Sequence, residues 1–302
     1  MFKIFSQTDN KTIDVSPDTT ILEATLKANI NHIHVCGGNA RCTTCRVDIL
    51  DGLDNCRPRN EKEKQLTEKL EFPRNIRLAC QTKISGNVTI RRPVVDDLDI
   101  KIILKQLGDT PGTRLGKEKD LAILFTDIVN YTRFAEAFPA YDVVHVLNRY
   151  YQLMNEIIVQ HQGIISDVAG DGILALFGVI EERKNHVLDA INAVKAMRTA
   201  LKPFNEYLNQ MYDWSFGIRA GINFGKAIVG NFDTGMMKKI SAIGDAVNLA
   251  SRIETANKDF GTQLLISESA NTEIQGLMET QKMYRTKLKG KSGEYVLYDI
   301  KI

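Results

Sequence analysis

The sequence predicts an α+β protein of two domains in series, a small β-rich one followed by a larger one of βαββαβ order. Three observations carry this expectation. All five cysteines lie between positions 36 and 80 of the 302 residues. The first 92 residues hold short alternating patterns of strand length. From Leu121 onward, apolar runs of strand length alternate with two long amphipathic stretches. At 43% apolar, the chain can bury two cores. The expected division is a domain over 1–92, a connector over 93–118 and a second domain over 119–302.

In the first domain, strands are expected near 1–5, 11–15, 46–50 and 87–90, with a helix over 19–28 between the second strand and the cysteines. The connector carries Pro93 and Pro111 around an apolar stretch that includes Val94, Leu98, Ile102 and Leu107, which reads as one short helix. The second domain reads as a strand over 121–126, a helix over 135–160, a hairpin of 164–168 with 173–177, a helix over 182–207, and strands over 215–222 and 227–229. Val187, Ala190, Ile191, Val194, Met197 and Leu201 line one face of the second of those helices.

A net charge of +2 with 25% charged residues argues against a polyanion-coating protein and against nucleic acid as a partner. No apolar run approaches the roughly 20 residues that span a bilayer. The first five residues alternate like a strand and lack the apolar stretch of a secretion signal, so a cytoplasmic location is expected. Thiols are kept reduced there, which favours a metal site over a disulfide framework.

Cys36, Cys42 and Cys45 form C-x5-C-x2-C, and Cys80 follows 35 positions later. Three thiolates on one loop and a fourth from afar suit one 2Fe-2S cluster. Gly37 and Gly38 allow the positive φ and close backbone approach that so tight a loop needs. Zinc in four thiolates and unligated buried cysteines are the alternatives; zinc usually takes paired C-x2-C halves, and one such half is present. The run C-G-G-x-x-x-C-x-x-C, followed by Arg46-Val47 and later by Arg77-Leu78-Ala79-Cys80-Gln81, resembles the 2Fe-2S ferredoxin family over about the first 92 residues. The resemblance implies a β-grasp-like domain with Cys36, Cys42, Cys45 and Cys80 as cluster ligands. Ala40 and Thr43 depart from it, standing where many members have glycine. Cys56 lies outside the pattern, and His32 and His34 are expected on a strand near the cluster. Through residue 92 there are 15 Lys and Arg against 11 Asp and Glu, a net of +4. Shuttle ferredoxins of this type are commonly acidic, so a tethered regulator is expected in preference to a free electron carrier.

Asp127 ends an apolar strand, and Asp171 sits between Gly170 and Gly172 at the tip of the hairpin. Pairing of these strands brings two carboxylates together, and their repulsion is relieved by a cation on hard oxygen ligands, Mg2+ or Mn2+. Two unrelated turn aspartates are the alternative. Asn248 and Arg252, four apart, share a helix face that could hold a ribose and stabilise phosphate charge, or could be a solvated polar face.

F-x-D-I with Tyr131-Thr132, G-D-G closing on Phe177-Gly178, G-I-N-x-G at 221–225, I-G-D-x-V-N-x-A-x-R at 243–252 and K-G-K-S-G-E-Y at 289–295 together resemble class III adenylyl and guanylyl cyclases. The resemblance covers roughly 115–302 and implies a nucleotide cyclase with a ferredoxin-like βαββαβ core. It implies that Asp127 and Asp171, with the Ile128 carbonyl, bind two Mg2+ or Mn2+ ions, that Asn248 orients the ribose and that Arg252 stabilises the transition state. Lys289 or Lys291 would hold the triphosphate, and Asp167 and Ser241 would select the base. Metals from one subunit and Asn/Arg from the other imply a homodimer. Asp167 departs from the Lys or Glu usual at its position and leaves the base open. Ser241 resembles the Thr of one adenylyl subclass, so ATP is expected, with GTP as the alternative. No P-loop is present, so phosphate binding must come from metals and basic side chains. The rival reading is an electron carrier whose rear domain only senses nucleotide.

Overall fold

The computed structural model describes residues 1–93, 116–180, 185–231 and 240–302. The chain divides into two compact units, Met1–Leu115 and Gly116–Ile302. Most of the expected connector, with its short helix, and the expected start of the second long helix at 182–184 lie outside the described residues.

The first unit is a five-stranded sheet in the order β2-β1-β5-β3-β4, where β1 is Phe2–Ser6, β2 Lys11–Val15, β3 Arg46–Asp51, β4 Ile76–Leu78 and β5 Val88–Arg91. β1 and β5 run parallel, with Ile4 opposite Val88. Helix α1 (Ile21–Lys27) begins at a capping box in which the Thr20 hydroxyl accepts from the Glu23 N–H and the Glu23 carboxylate accepts from the Thr20 N–H. Ile4, Ile21, Val47, Leu78, Ile84 and Ile90 are fully buried in the core beneath it. The segment holding His32 and His34 is irregular, not the expected strand, because its backbone turns out of α1 towards the cysteine loop.

Helix α2 (Glu61–Lys69) buries one carboxylate completely, that of Glu63. It accepts from Arg77 Nε and Nη2, both at 2.9 Å, and from the Leu78 N–H at 2.8 Å. These bonds hold the segment that leads into Cys80. Glu63→Ala leaves the buried Arg77 guanidinium without its counter-charge, and the expected cost is about 3–5 kcal/mol. Denaturant unfolding of the full chain, followed through its first transition, measures it.

The second unit is built on an eight-stranded sheet, order β12-β13-β11-β9-β6-β8-β7, with β10 added on β9. Its elements run β6 (Lys117–Val129), α3 (Tyr131–Ala137), α4 (Ala140–Gln160), β7 (Gly163–Ala169), β8 (Gly172–Phe177) and α5 (His186–Tyr212). Then come β9 (Gly217–Asn231), β10 (Ile240–Ile243), α6 (Asp245–Phe260), β11 (Leu264–Ser267), α7 (Glu268–Glu273), β12 (Lys282–Thr286) and β13 (Tyr295–Asp299). The first part has the expected βαββαβ order. Period-two alternation along β6 sorts its side chains to two cores. Ala122 and Leu124 pack with α4 and α5, whereas Leu121 and Ile123 pack with Ala250 of α6.

Three elements differ from expectation. The helix expected over 135–160 is two helices, because Pro139 lacks an N–H and its predecessor Phe138 is extended. The strands expected over 215–222 and 227–229 are one continuous β9, paired residue for residue with β6 from Lys117↔Val229 to Val129↔Gly217. The second long helix continues past Pro203 to Tyr212. Among the described residues no helix is long and apolar enough to cross a membrane.

Candidate functional site

Asp127 stands near the end of β6, directly opposite Arg219 of β9. Pairing of β6 with β8, which ends at Thr126↔Ile173, lays the 170–171 turn against that strand end. Gly170 takes φ of +59°, a conformation that side chains rarely adopt, and its carbonyl accepts from the Tyr151 hydroxyl. The two carboxylates meet there. Burial pushes the Asp171 pKa up to about 6, helped by its hydrogen bond with Asp127 and by that group's charge, while the Ile128 N–H donates to it. Two carboxylates this close repel each other, and a cation between them relieves the repulsion, so the donor set fits Mg2+ or Mn2+. Among the described residues no three His, Cys, Asp or Glu side chains are grouped to hold one ion. Two carboxylates and the main chain at Ile128 are what this pocket offers.

The remaining expected residues lie around α6. Asn248 and Arg252 are exposed on its surface, and neither has a side-chain partner among the described residues. Lys291 is bonded to Asp245 at the start of α6, whereas Lys289 is exposed just before the Gly290 turn. Asp167 follows a β-bulge in β7, and its Oδ1 accepts from the Val168 N–H at 2.8 Å. Ser166 next to it donates to the carbonyl of Ile240 at 3.2 Å, which brings the backbones at Asp167 and Ser241 side by side.

Helix geometry separates these two sets within one chain. Gly221 of β9 seats α6, since a Cβ there would lie 2.1 Å from the Glu254 nitrogen. The buried face of α6 turns Glu254 towards β9, where Arg219 Nε is 3.6 Å from Glu254 Oε1. Lys258 Nζ, one turn on, reaches Asp127 Oδ2 at 3.7 Å. Arg252 projects about 200° around the helix from Glu254, and Asn248 lies about 15 Å along the axis from Lys258. The carboxylate pair and the Asn/Arg pair therefore face different directions. Arg219, Glu254 and Lys258 were missed in the sequence. The β6–β9 register puts Arg219 beside Asp127, and the seating of α6 on Gly221 brings Glu254 and Lys258 there; neither is revealed by periodicity.

In the first unit the four thiols sort into two pairs. All are free thiols; Cys36 lies beside Cys42, and Cys45 beside Cys80. The hydrogen bond from Cys42 brings the Cys36 pKa down to about 5, with main-chain donors at Asn39, Arg41 and Cys42 adding to it. The bond from Cys45 brings Cys80 to about 6, while Cys42 and Cys45 are pushed up. Gln81 Nε2 donates to the Cys80 sulfur at 3.3 Å and to the Gly38 carbonyl at 3.0 Å. Gly37, Gly38 and Ala40 take φ of +68°, +82° and +53°, so Ala40 holds the left-handed conformation without being glycine. Pairing two by two suits two irons bridged by sulfide, each taking two thiolates, better than one zinc at the centre of four. Cys56 is buried apart, its thiol pKa raised by burial beside Arg77 and Glu63.

The second unit carries paired carboxylates at one strand end and, on a neighbouring helix, an amide and a guanidinium with no side-chain partner among the described residues. The first unit is a thiolate-cluster domain. The chain belongs to the adenylate and guanylate cyclase catalytic domain family, which it matches over residues 115–301. Residues 4–85 match the 2Fe-2S iron-sulfur cluster binding domain. Adenylate cyclase 1 of Rhizobium meliloti (strain 1021) is 29% identical over 189 residues, 63% of this chain and 28% of that protein. An adenylate cyclase of Anabaena cylindrica is 30% identical over 188 residues, 60% of this chain and 36% of that one. The chain thus spans about a third of the length of these curated relatives. Among solved structures, the adenylyl cyclase CyaB from P. aeruginosa superposes with a TM-score of 0.57 at 27% identity, covering 62% of this chain and 95% of that one. The guanylyl cyclase Cya2 gives a TM-score of 0.57 at 28% identity, covering 61% and 93%.

Proposed function

We propose that the chain converts ATP to 3′,5′-cyclic AMP and pyrophosphate as a homodimer with two composite sites. The observation that carries this is the division of the site: Asp127 and Asp171 meet at one strand end, while Asn248 and Arg252, with no side-chain partner among the described residues, face another way. A second copy related by a twofold axis supplies what each half lacks.

In the reaction the ribose 3′-oxygen forms a bond to the α-phosphorus, the bond from that phosphorus to the α–β bridging oxygen breaks, pyrophosphate leaves, and the 3′-hydroxyl proton is released. Bound Mg2+ or Mn2+ supplies positive charge that acidifies the hydroxyl and neutralises the phosphates. Asp127 and Asp171 hold it, with the main chain at Ile128. Asn248 fixes the ribose for in-line attack. The Arg252 guanidinium bonds the α-phosphate oxygens as their charge grows. Lys289, exposed at its turn, takes the polyphosphate, whereas Lys291 positions the start of α6 through Asp245. Asp167 accepts from the adenine amino group and Ser241 donates to a ring nitrogen; the two adenylate cyclases from Rhizobium meliloti and Anabaena cylindrica support this choice of base. The cluster domain regulates the cyclase through its oxidation state.

Purified protein supplied with ATP and GTP side by side in Mn2+, with the cluster oxidised and then reduced, tests each part. Cyclic AMP in excess over cyclic GMP, at a rate that changes on reduction, is expected. Cyclic GMP in excess reverses the assignment of the base, and one rate in both redox states removes the regulation.

A further inference from the structure

The Asp127 carboxylate is not bare. Its Oδ2 is met by Arg219 Nη2 at 3.2 Å and by Lys258 Nζ at 3.7 Å. These two cations differ in what else they can do. Arg219 is 18% exposed and lies beside a second carboxylate, with its Nε 3.6 Å from Glu254 Oε1. Both of those atoms are buried and have no hydrogen bond among the described residues, so a small approach would join them. Lys258 is 51% exposed, and its flexible stem lets the ammonium swing into water.

We propose that Lys258 is a built-in counter-ion of the metal site, paired with Asp127 when no metal is bound and displaced by the divalent ion on entry. Glu254 then receives Arg219, which stays in place as Asp127 turns to the metal. Because an ammonium this close repels an incoming dication and competes for the same oxygen, Lys258 lowers the affinity of the site. Metal loading is thereby tied to α6, the helix that carries Asn248 and Arg252. The inference rests on the metal-site reading of Asp127 and Asp171.

Mn2+ binding to the nucleotide-free full-length protein, followed by the loss of the free-ion electron paramagnetic resonance signal, tests it without reference to activity. Lys258→Gln and Lys258→Ala are expected to bind Mn2+ about two- to fivefold more tightly than wild type, the range of a solvent-exposed ion pair. The difference should shrink in high salt. Lys258→Arg keeps the charge and should bind as wild type does. Damage to packing would loosen the metal, so the direction distinguishes a counter-ion from a structural lysine. Unchanged or weaker binding in both neutral variants, with Asp127→Asn binding poorly, overturns the counter-ion role and leaves the metal site standing. Asp127→Asn binding Mn2+ at wild-type affinity removes the metal site and the counter-ion together.

Discussion

Asp171→Asn and Arg252→Ala, each assayed alone, should lower cyclic-nucleotide formation by about 10²- to 10³-fold, the cost of removing one group that stabilises developing charge. Mixed and allowed to exchange subunits, the two inactive proteins should recover about a quarter of wild-type activity. Random pairing makes half of the dimers mixed, and each of these has one intact site. The reason is geometric. Asp171 belongs to the half-site at the end of β6, and Arg252 points the other way from α6. Asp171 is the better choice than Asp127, because Asp127→Asn would also strip Arg219 and Lys258 of their partner. A mixture no more active than its components, under conditions where subunits demonstrably exchange, rules out composite sites.

Cys80→Ser should abolish the visible absorption of the first unit and lower its melting temperature, whereas Cys56→Ser should change neither by much. Cys80 is the distant member of the Cys45–Cys80 pair, and Ser offers no soft thiolate. The loop it closes holds three residues at positive φ, which ligation stabilises against the unfolded chain. Cys56 lies outside both pairs. A colourless wild-type protein that carries zinc would discard the iron–sulfur assignment.

Much of the architecture was legible from local pattern. The cysteine spacing indicated three thiolates on one loop and a fourth from afar, and the apolar run ending in Asp127 with the G-D-G tip at Asp171 indicated two carboxylates brought together. Some local signals were misread. Pro139 breaks what reads as one amphipathic helix, and what reads as two strands over 215–222 and 227–229 is one continuous β9. That strand continues because β6 offers it hydrogen-bond partners along its full length, and Gly221 serves the close approach of α6.

By itself the sequence determined which residue types are available and which of them share a face within an element, since the 3.6 and 2.0 residue periods are properties of the local backbone. It placed Asn248 beside Arg252 and three of the cysteines on one loop. Only the tertiary structure decided what each face meets. The β6–β9 register set Arg219 against Asp127, and the seating of α6 on Gly221 brought in Glu254 and Lys258 while turning Arg252 away. Such long-range pairing depends on the summed burial of whole elements, and no short stretch of sequence records it.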